Sequence, residues 1–359
     1  MSQSAILQVS APGRICLFGD HQDFLGLAVI ASAIDRRITI AGVPRTDGLL
    51  HLSLPDIGQS DVFDPTQEIA YRGSRDYLRS VTNVIRRTGA EWPTGFDCTV
   101  TGNIPINAGV SSSSALVIAW TYFLMVAADP DTTPDPVVVA RNGHQAEVLE
   151  FKEPGGMMDH YTSAMGGVVY IDCGPEISVQ RVDRQLSGFV LGDSLEPKDT
   201  MGVLRQSKED TLSGVRMMRE KVNGFHFRTS SLDSVKDALK DLPDRERRKI
   251  HANLINWDIT CTARRILGSD AFVPETLGTL MDRHHEMLRD GIGVSTPKIE
   301  RMIDAAKAAG ALGAKVNGSG GGGTMIAYAP GCEESVAEAI NRAGGRAGAV
   351  CIDSGARIE

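Results

Sequence analysis

The sequence predicts an α+β protein in two comparable halves. Three observations carry this expectation. Short runs with strand-like alternation crowd the stretch up to Thr101, helical periodicities dominate Lys208 to His285, and strands mix with helices in both halves. The chain of 359 residues is 42% hydrophobic, enough for a large core, and its length suits two domains better than one. The polar segment Ser194 to Thr200 is the candidate boundary, dividing the chain into 1–193 and 194–359.

In chain order, Ile6 to Ser10 alternates as a strand, Ala11-Pro12-Gly13-Arg14 interrupts it, because Pro and Gly break a ladder, and Ile15 to Phe18 resumes as a buried strand. Val29 to Val43 and Leu49 to Leu54 are strands, with Arg36 and Arg37 expected in solvent. Arg75 to Arg86 has Tyr77, Leu78, Val81 and Ile85 at helical spacing, and Phe96 to Thr101 is a strand. Pro136 to Phe151 is a helix with Val138, Val139, Ala146 and Leu149 as its apolar stripe and Glu147 at the edge. Lys152 to Asp172 reads as a Gly-rich turn, a short helix and a strand. Phe189 to Asp193 is a strand, Asp244 to Lys249 a solvated charge run, and His284 and His285 belong to a helix surface. Lys298 to Ala309 is a helix stopped by Gly310 to Gly313, and a helix from Glu333 and a strand from Ala347 complete the chain.

Composition narrows the function. A net charge of −8 argues against a broad nucleic-acid or anionic-membrane surface. The six cysteines are scattered without a Cys-x-x-Cys pair, as buried thiols in a reducing cytoplasm would be. The start, Met1 to Pro12, lacks a signal peptide's basic and apolar runs, and the longest apolar stretch, Ala115 to Ala128, falls short of the roughly 20 residues of a membrane span. The expectation is a soluble cytoplasmic small-molecule enzyme, monomer or homodimer, with no nucleic-acid or membrane partner.

Three polar segments stand out. Gly109-Val110-Ser111-Ser112-Ser113-Ser114-Ala115 opens straight into an apolar helix, offering free amides and a positive dipole end to a phosphate, although a serine-rich helix cap would read the same way. Gly19 to Gly26 packs Asp20, His21 and Asp23 between apolar runs, either a satisfied turn or the donors and acceptors a polyhydroxyl ligand needs. Gly318 to Gly323 has five glycines in six residues, an entropic cost that points to close backbone approach. Asp159 sits near a helix start, where a carboxylate is ordinarily a cap.

In their order and spacing, the segments Pro12 to Phe24, Pro105 to Ala115 and Lys315 to Thr324 resemble the GHMP kinase superfamily, named for galactokinase, homoserine kinase, mevalonate kinase and phosphomevalonate kinase. Ala11-Pro12-Gly13-Arg14 with Gly19-Asp20-His21-Gln22-Asp23-Phe24 is similar to the galactokinase branch, which has Ala-Pro-Gly-Arg and Gly-Glu-His-Thr-Asp-Tyr. Gly156-Met157-Met158-Asp159-His160 resembles that branch's Gly-Ile-Met-Asp-Gln, and Gln145-Ala146-Glu147 its Gln-Ala-Glu. The resemblance implies a ribosomal protein S5 domain 2-like N-terminal domain, a ferredoxin-like C-terminal domain, and a sugar 1-kinase using ATP and Mg²⁺.

Carried over by resemblance, Asp159 faces the attacking sugar hydroxyl with Arg14 beside it, and Asp20, His21, Asp23 and Gly156 hold the monosaccharide. Gly109, Val110, Ser111, Ser112 and Ser113 bind the triphosphate, Gly320 and Gly321 approach the nucleotide, and Tyr77 and Leu78 border adenine. Ser113 and Glu147 ligate Mg²⁺. An arginine beside Asp159 should depress its pKa and make it a poor early base. Two departures, Asp20 for the usual Glu and Leu25 for the usual Asn, leave open which sugar is used: galactose, an N-acetylated or deoxy relative, a pentose or a heptose. The competing readings are a non-sugar kinase of the superfamily and a catalytically silent sugar sensor.

Overall fold

In the computed structural model, which describes residues 6–105, 109–197 and 200–359, the strand-like runs assemble into two sheets. Among the described residues the first comprises β1 (Leu7–Phe18), β2 (Val29–Arg45), β3 (Leu50–Leu54), β4 (Gln59–Phe63), β5 (Gly95–Gly102), β6 (Val168–Asp172) and β7 (Ser178–Arg181), with β12 (Arg357–Ile358) from the end of the chain. Its order is β12-β1-β2-β5-β3-β4, with β6 beside the start of β2 and β7 outside it. β3 and β5 are parallel neighbours and the other pairs are antiparallel. The second sheet, ordered β11-β8-β10-β9, is antiparallel and contains β8 (Phe189–Asp193), β9 (Gly313–Val316), β10 (Thr324–Tyr328) and β11 (Arg346–Val350).

The helices are α1 (Tyr77–Arg87), α2 (Ser112–Ala128), α3 (Pro136–His144), α4 (Met158–Met165), α5 (Thr200–Lys221), α6 (Leu232–Lys240), α7 (Asp244–Leu267), α8 (Pro274–Glu286), α9 (Pro297–Ala308) and α10 (Glu333–Arg342). α2 is apolar on nearly every face because it is buried on nearly every face, packed between β1 and β2 on one side and α1, α3 and α4 on the other. A second core cluster joins the opposite side of β1 and β2 to α7, α8 and the second sheet, so the two halves share buried surface. No helix among the described residues is long and apolar enough to cross a membrane.

Several expectations change. β1 runs unbroken through Ala11 to Arg14, its register on β2 shifting between Pro12 and Arg14 instead of ending. β8 pairs with β10 and β11, so a division by sheet falls before Phe189 and not after Asp193, while β12 returns to the first sheet. The polar segment chosen as boundary includes Lys198 and Asp199, which lie outside the described residues, as do 106–108 of the Pro105 to Ala115 segment. Arg37 is not in solvent: it is hydrogen-bonded to Ser10 and paired with Asp353. Lys249 of the charge run is buried, its ammonium donating to the Ile292 carbonyl. Only Cys16, Cys98 and Cys173 are buried thiols; the other three are exposed.

Candidate active site

The irregularity in β1 builds the site. A Cβ at Gly13 would lie 2.7 Å from the Val110 carbonyl oxygen, so only glycine admits the serine loop this close, and that oxygen accepts from the Arg14 amide at 3.1 Å. Arg14 then points its guanidinium along the loop. Nη1 donates to the Gly109 carbonyl at 2.7 Å, while Nε and Nη2 grip Asp159 Oδ1 and Oδ2 at 2.6 and 3.0 Å. This two-pronged fork is the strongest geometry an arginine offers a carboxylate.

Asp159 is therefore not a helix cap. α4 is preceded by Met157, which supplies no side-chain cap, and the Asp159 carboxylate accepts from Arg14 and from the Ser111 hydroxyl. Burial would raise its pKa, but Arg14 and the Ser111 bond outweigh burial and hold it below the usual carboxylate range. Ser111 is not a cap either. It adopts a left-handed backbone (φ 61°) ahead of α2, and its side chain makes no capping bond, so the amides of the first turn stay free of it. Ser112 and Ser113 follow on the same cavity wall.

Glu147 reaches the site through a defect in its helix. Past α3 the chain continues as a π-helical turn, Gln145–Leu149, and the extra residue turns Leu149 out to solvent while Glu147 is 5% exposed; Val138, ahead of the turn, is exposed as well. Its Oε2 accepts from His160 Nε2 at 2.8 Å. Burial would push its pKa up; the bonds from His160, Ser113 and Ser114 hold it down. An ionised carboxylate beside the Ser113 hydroxyl, oriented by His160, is a hard-oxygen donor set that fits Mg²⁺. No group of three or more His, Cys, Asp or Glu suited to a metal occurs among the described residues, so the ion would take its other ligands from phosphate and water.

Across the cavity stand His21, Asp23 and Gly156. His21 also has a left-handed backbone (φ 61°). Its Nε2 donates to the Ser319 carbonyl at 3.1 Å, while buried Nδ1 has no protein partner. Burial lowers its pKa to about 4, so the ring is neutral and Nδ1 is an acceptor. Asp23 is pushed above the usual range, first by burial and then by the charge of Asp159. A Cβ on Gly156 would fall 1.7 Å from Asp23 Oδ2, which explains the glycine.

The remaining sequence candidates fare differently. Asp20 borders the cavity but is 1% exposed, and both of its oxygens are taken: Oδ1 by the Gly318 amide and Oδ2 by Lys315 Nζ, each at 2.8 Å. Asp20 is thus engaged in an internal ion pair with Lys315. Val110, Tyr77, Leu78, Gly320 and Gly321 do not line the cavity. Tyr77 donates to Glu153, the Leu78 carbonyl accepts from Trp120, and a Cβ at Gly320 would meet the Val294 carbonyl oxygen at 2.3 Å. The glycine loop thus owes its composition partly to packing on its own chain, with Gly318 and Ser319 alone reaching the cavity. His284 and His285 are buried, not surface residues, and His284 Nδ1 lies 4.0 Å from Asp20. Lys315 and the His160 support of Glu147 escaped the sequence reading; a lysine inside the apolar run Ala314 to Val316 was the one signal for the former.

A cavity that joins a helix N-terminus free of its serine's side chain to a clamped, ionised aspartate is built to align a hydroxyl with a phosphoryl group, the work of a small-molecule kinase. Comparison with known proteins agrees. Residues 76–167 match the GHMP kinases N terminal domain, 271–346 the GHMP kinases C terminal domain, and 2–44 the galactokinase galactose-binding signature. A mevalonate kinase of Thermococcus sibiricus is 30% identical over 345 residues, covering 94% of this chain and 93% of its own. A galactokinase of Haemophilus influenzae is 26% identical over 339 residues, covering 90% and 85%. The fold is similar to the crystal structure of Lactococcus lactis galactokinase complexed with galactose, with a TM-score of 0.84 at 20% identity over 99% of this chain and 95% of that one. The chain belongs to the GHMP kinase family and is an ATP-dependent phosphotransferase acting on a hydroxyl group.

Proposed function

We propose that this kinase is of the galactokinase-like type and phosphorylates the anomeric C1 hydroxyl of galactose or a related monosaccharide, in the cytoplasm, as a monomer or homodimer. The observation that carries this reading is the match of residues 2–44 to the galactose-binding signature, whose polar residues His21 and Asp23 line the same cavity as Asp159. Sugar hydroxyls need acceptors as well as donors, and the Asp23 carboxylate and the unpartnered His21 Nδ1 supply them.

In this mechanism the amides at the start of α2, with Ser111 to Ser113, receive the triphosphate. Asp159 accepts the hydrogen bond of the attacking hydroxyl and aims its oxygen at the γ-phosphorus. Held ionised and weakly basic by Arg14 and Ser111, it takes the proton late, once the forming O–P bond has made that proton acidic. The Arg14 guanidinium, shared between Asp159 and the Gly109 carbonyl, keeps the nucleophile's partner and the phosphate loop in one register and adds positive charge there. Mg²⁺ held by Ser113 and Glu147 would neutralise charge on the transferring phosphate.

A second reading, a mevalonate-like alcohol as acceptor, is favoured by the 30% identity to a mevalonate kinase over 94% of the chain. ADP release measured across galactose, N-acetylgalactosamine, arabinose, a heptose and mevalonate, with NMR of the product, separates the two. A C1 phosphate supports the sugar reading; turnover of mevalonate alone refutes it.

A further inference from the structure

The cavity continues into a second chamber. Asp23, Phe24, Glu153, Gly155 and Gly156 form walls of both, and beyond them the second chamber is a solvent-open cleft of about 560 Å³. That is within the size range of sites that take drug-sized ligands. It opens from the acceptor side. Arg14, the serine loop and Glu147 are absent from its lining, so it lies away from the phosphates.

Its far wall is cationic. Arg228 is already engaged, donating to Asp172 and to the Gly26 carbonyl. Lys208 on α5 is different. It is half-buried, no carboxylate pairs with it among the described residues, and its ammonium lies 5.7 Å from the ring centroid of Phe24, one of the residues that wall both chambers. Glu153 on the shared wall is no substitute, because Arg75 and Tyr77 already hold it. Partial burial of an ammonium costs solvation that an aromatic face offsets only in part, so the position favours an anion.

We propose that the second chamber receives an anionic substituent, a carboxylate or phosphate, carried by the acceptor sugar at the end remote from the phosphorylated hydroxyl, and that Lys208 docks it. This inference rests on the sugar-kinase reading. It makes the preferred acceptor an acidic sugar rather than a neutral hexose.

The test compares kcat/KM for galactose, galacturonate and galactose 6-phosphate by ADP release, using the full chain and the variants Lys208→Met and Lys208→Arg. An acidic sugar should exceed galactose by about tenfold, chiefly through KM, as one partly desolvated charge pair allows. Lys208→Met should erase that ratio and Lys208→Arg retain most of it. The two acidic sugars tell a carboxylate from a phosphate. If galactose is the best acceptor, or if Lys208→Met lowers all acceptors in proportion, the inference is wrong and the sugar reading stands. If every sugar is silent while mevalonate turns over, both fall.

Discussion

Replacing Lys315 by Met tests whether Asp20 serves structure rather than the sugar. The two side chains are 0% and 1% exposed, with Nζ 2.8 Å from Asp20 Oδ2 and 2.9 Å from the Cys16 carbonyl. Methionine fills the same volume without the charge, leaving a buried carboxylate whose nearest remaining support is the Gly318 amide. Breaking a buried pair in this way costs about 3–5 kcal/mol, a large share of the roughly 5–15 kcal/mol that holds a domain folded. Urea unfolding extrapolated to zero denaturant measures it. In Asp20→Asn/Lys315→Met the amide oxygen still accepts from Gly318 and no charge remains, so most of the loss should return, a coupling of at least about 2 kcal/mol. Acidity gives a further signature. In the intact protein burial would raise the Asp20 pKa, but the charge and hydrogen bond of Lys315 outweigh burial and lower it, so the pair stabilises above about pH 4, the ordinary Asp value, and the gain is lost on acidification below it. Without Lys315 the folded pKa rises, the folded state holds the extra proton, and the variant's deficit should shrink as pH falls toward about 4. Asp20→Glu should likewise destabilise while leaving the ranking of sugars unchanged. A Lys315→Met cost below about 1 kcal/mol, or strict additivity in the cycle, would refute the ion-pair account.

Asp159→Asn should lower kcat by about a thousandfold, as loss of a proton-handling group does, with the Kd for ATP from calorimetry little altered; near-normal turnover removes Asp159 from the chemistry. Ser113→Ala should raise the Mg²⁺ concentration needed for half-maximal rate by about tenfold and Ser112→Ala should not; the opposite pattern would show that the register of the loop is misassigned. Gly156→Ala drives a Cβ into the Asp23 carboxylate, 1.7 Å away, and should reduce kcat/KM for the sugar by about a hundredfold, while the KM for ATP holds. Burial lowers the pKa of His21 to about 4 and of His284 to about 3, so below the unfolded value of about 6.5 the unfolded chain binds more protons. Stability should therefore fall as pH drops from about 6.5, by up to about 3 kcal/mol for His21 alone, and His21→Asn should flatten that part of a Tm against pH curve.

The serine loop was legible because its meaning is local: small residues ahead of an apolar run make a turn and a helix wherever the chain lies. The same holds for α1, α2, β5 and the helical stretch that became α5 to α8. Arg14 and Asp159, 145 residues apart, were joined only through resemblance to a family. Glu147 was seen, but the π-helical turn that buries it was not, since one inserted residue leaves no mark on a helical stripe. Tyr77, Leu78, Gly320 and Gly321 were placed at the nucleotide by their motifs; within the chain Tyr77 donates to Glu153, the Leu78 carbonyl accepts from Trp120, and Gly320 and Gly321 lie close to Val294 and Val203.

By itself the sequence determined the class of elements, the serine-rich loop that opens into α2 and, through its ordered motifs, the family. Those are properties of short segments and of their order. Tertiary structure decided which polar residues serve the cavity and which are consumed inside. Asp20 and Lys315 are 295 residues apart, and their pairing depends on β9 lying against the start of the chain. His284 looks like a surface residue until α8 packs on that cluster. Lys208 keeps its charge free because no carboxylate folds beside it among the described residues. Burial and charge pairing are set by distant neighbours, which local spacing cannot encode.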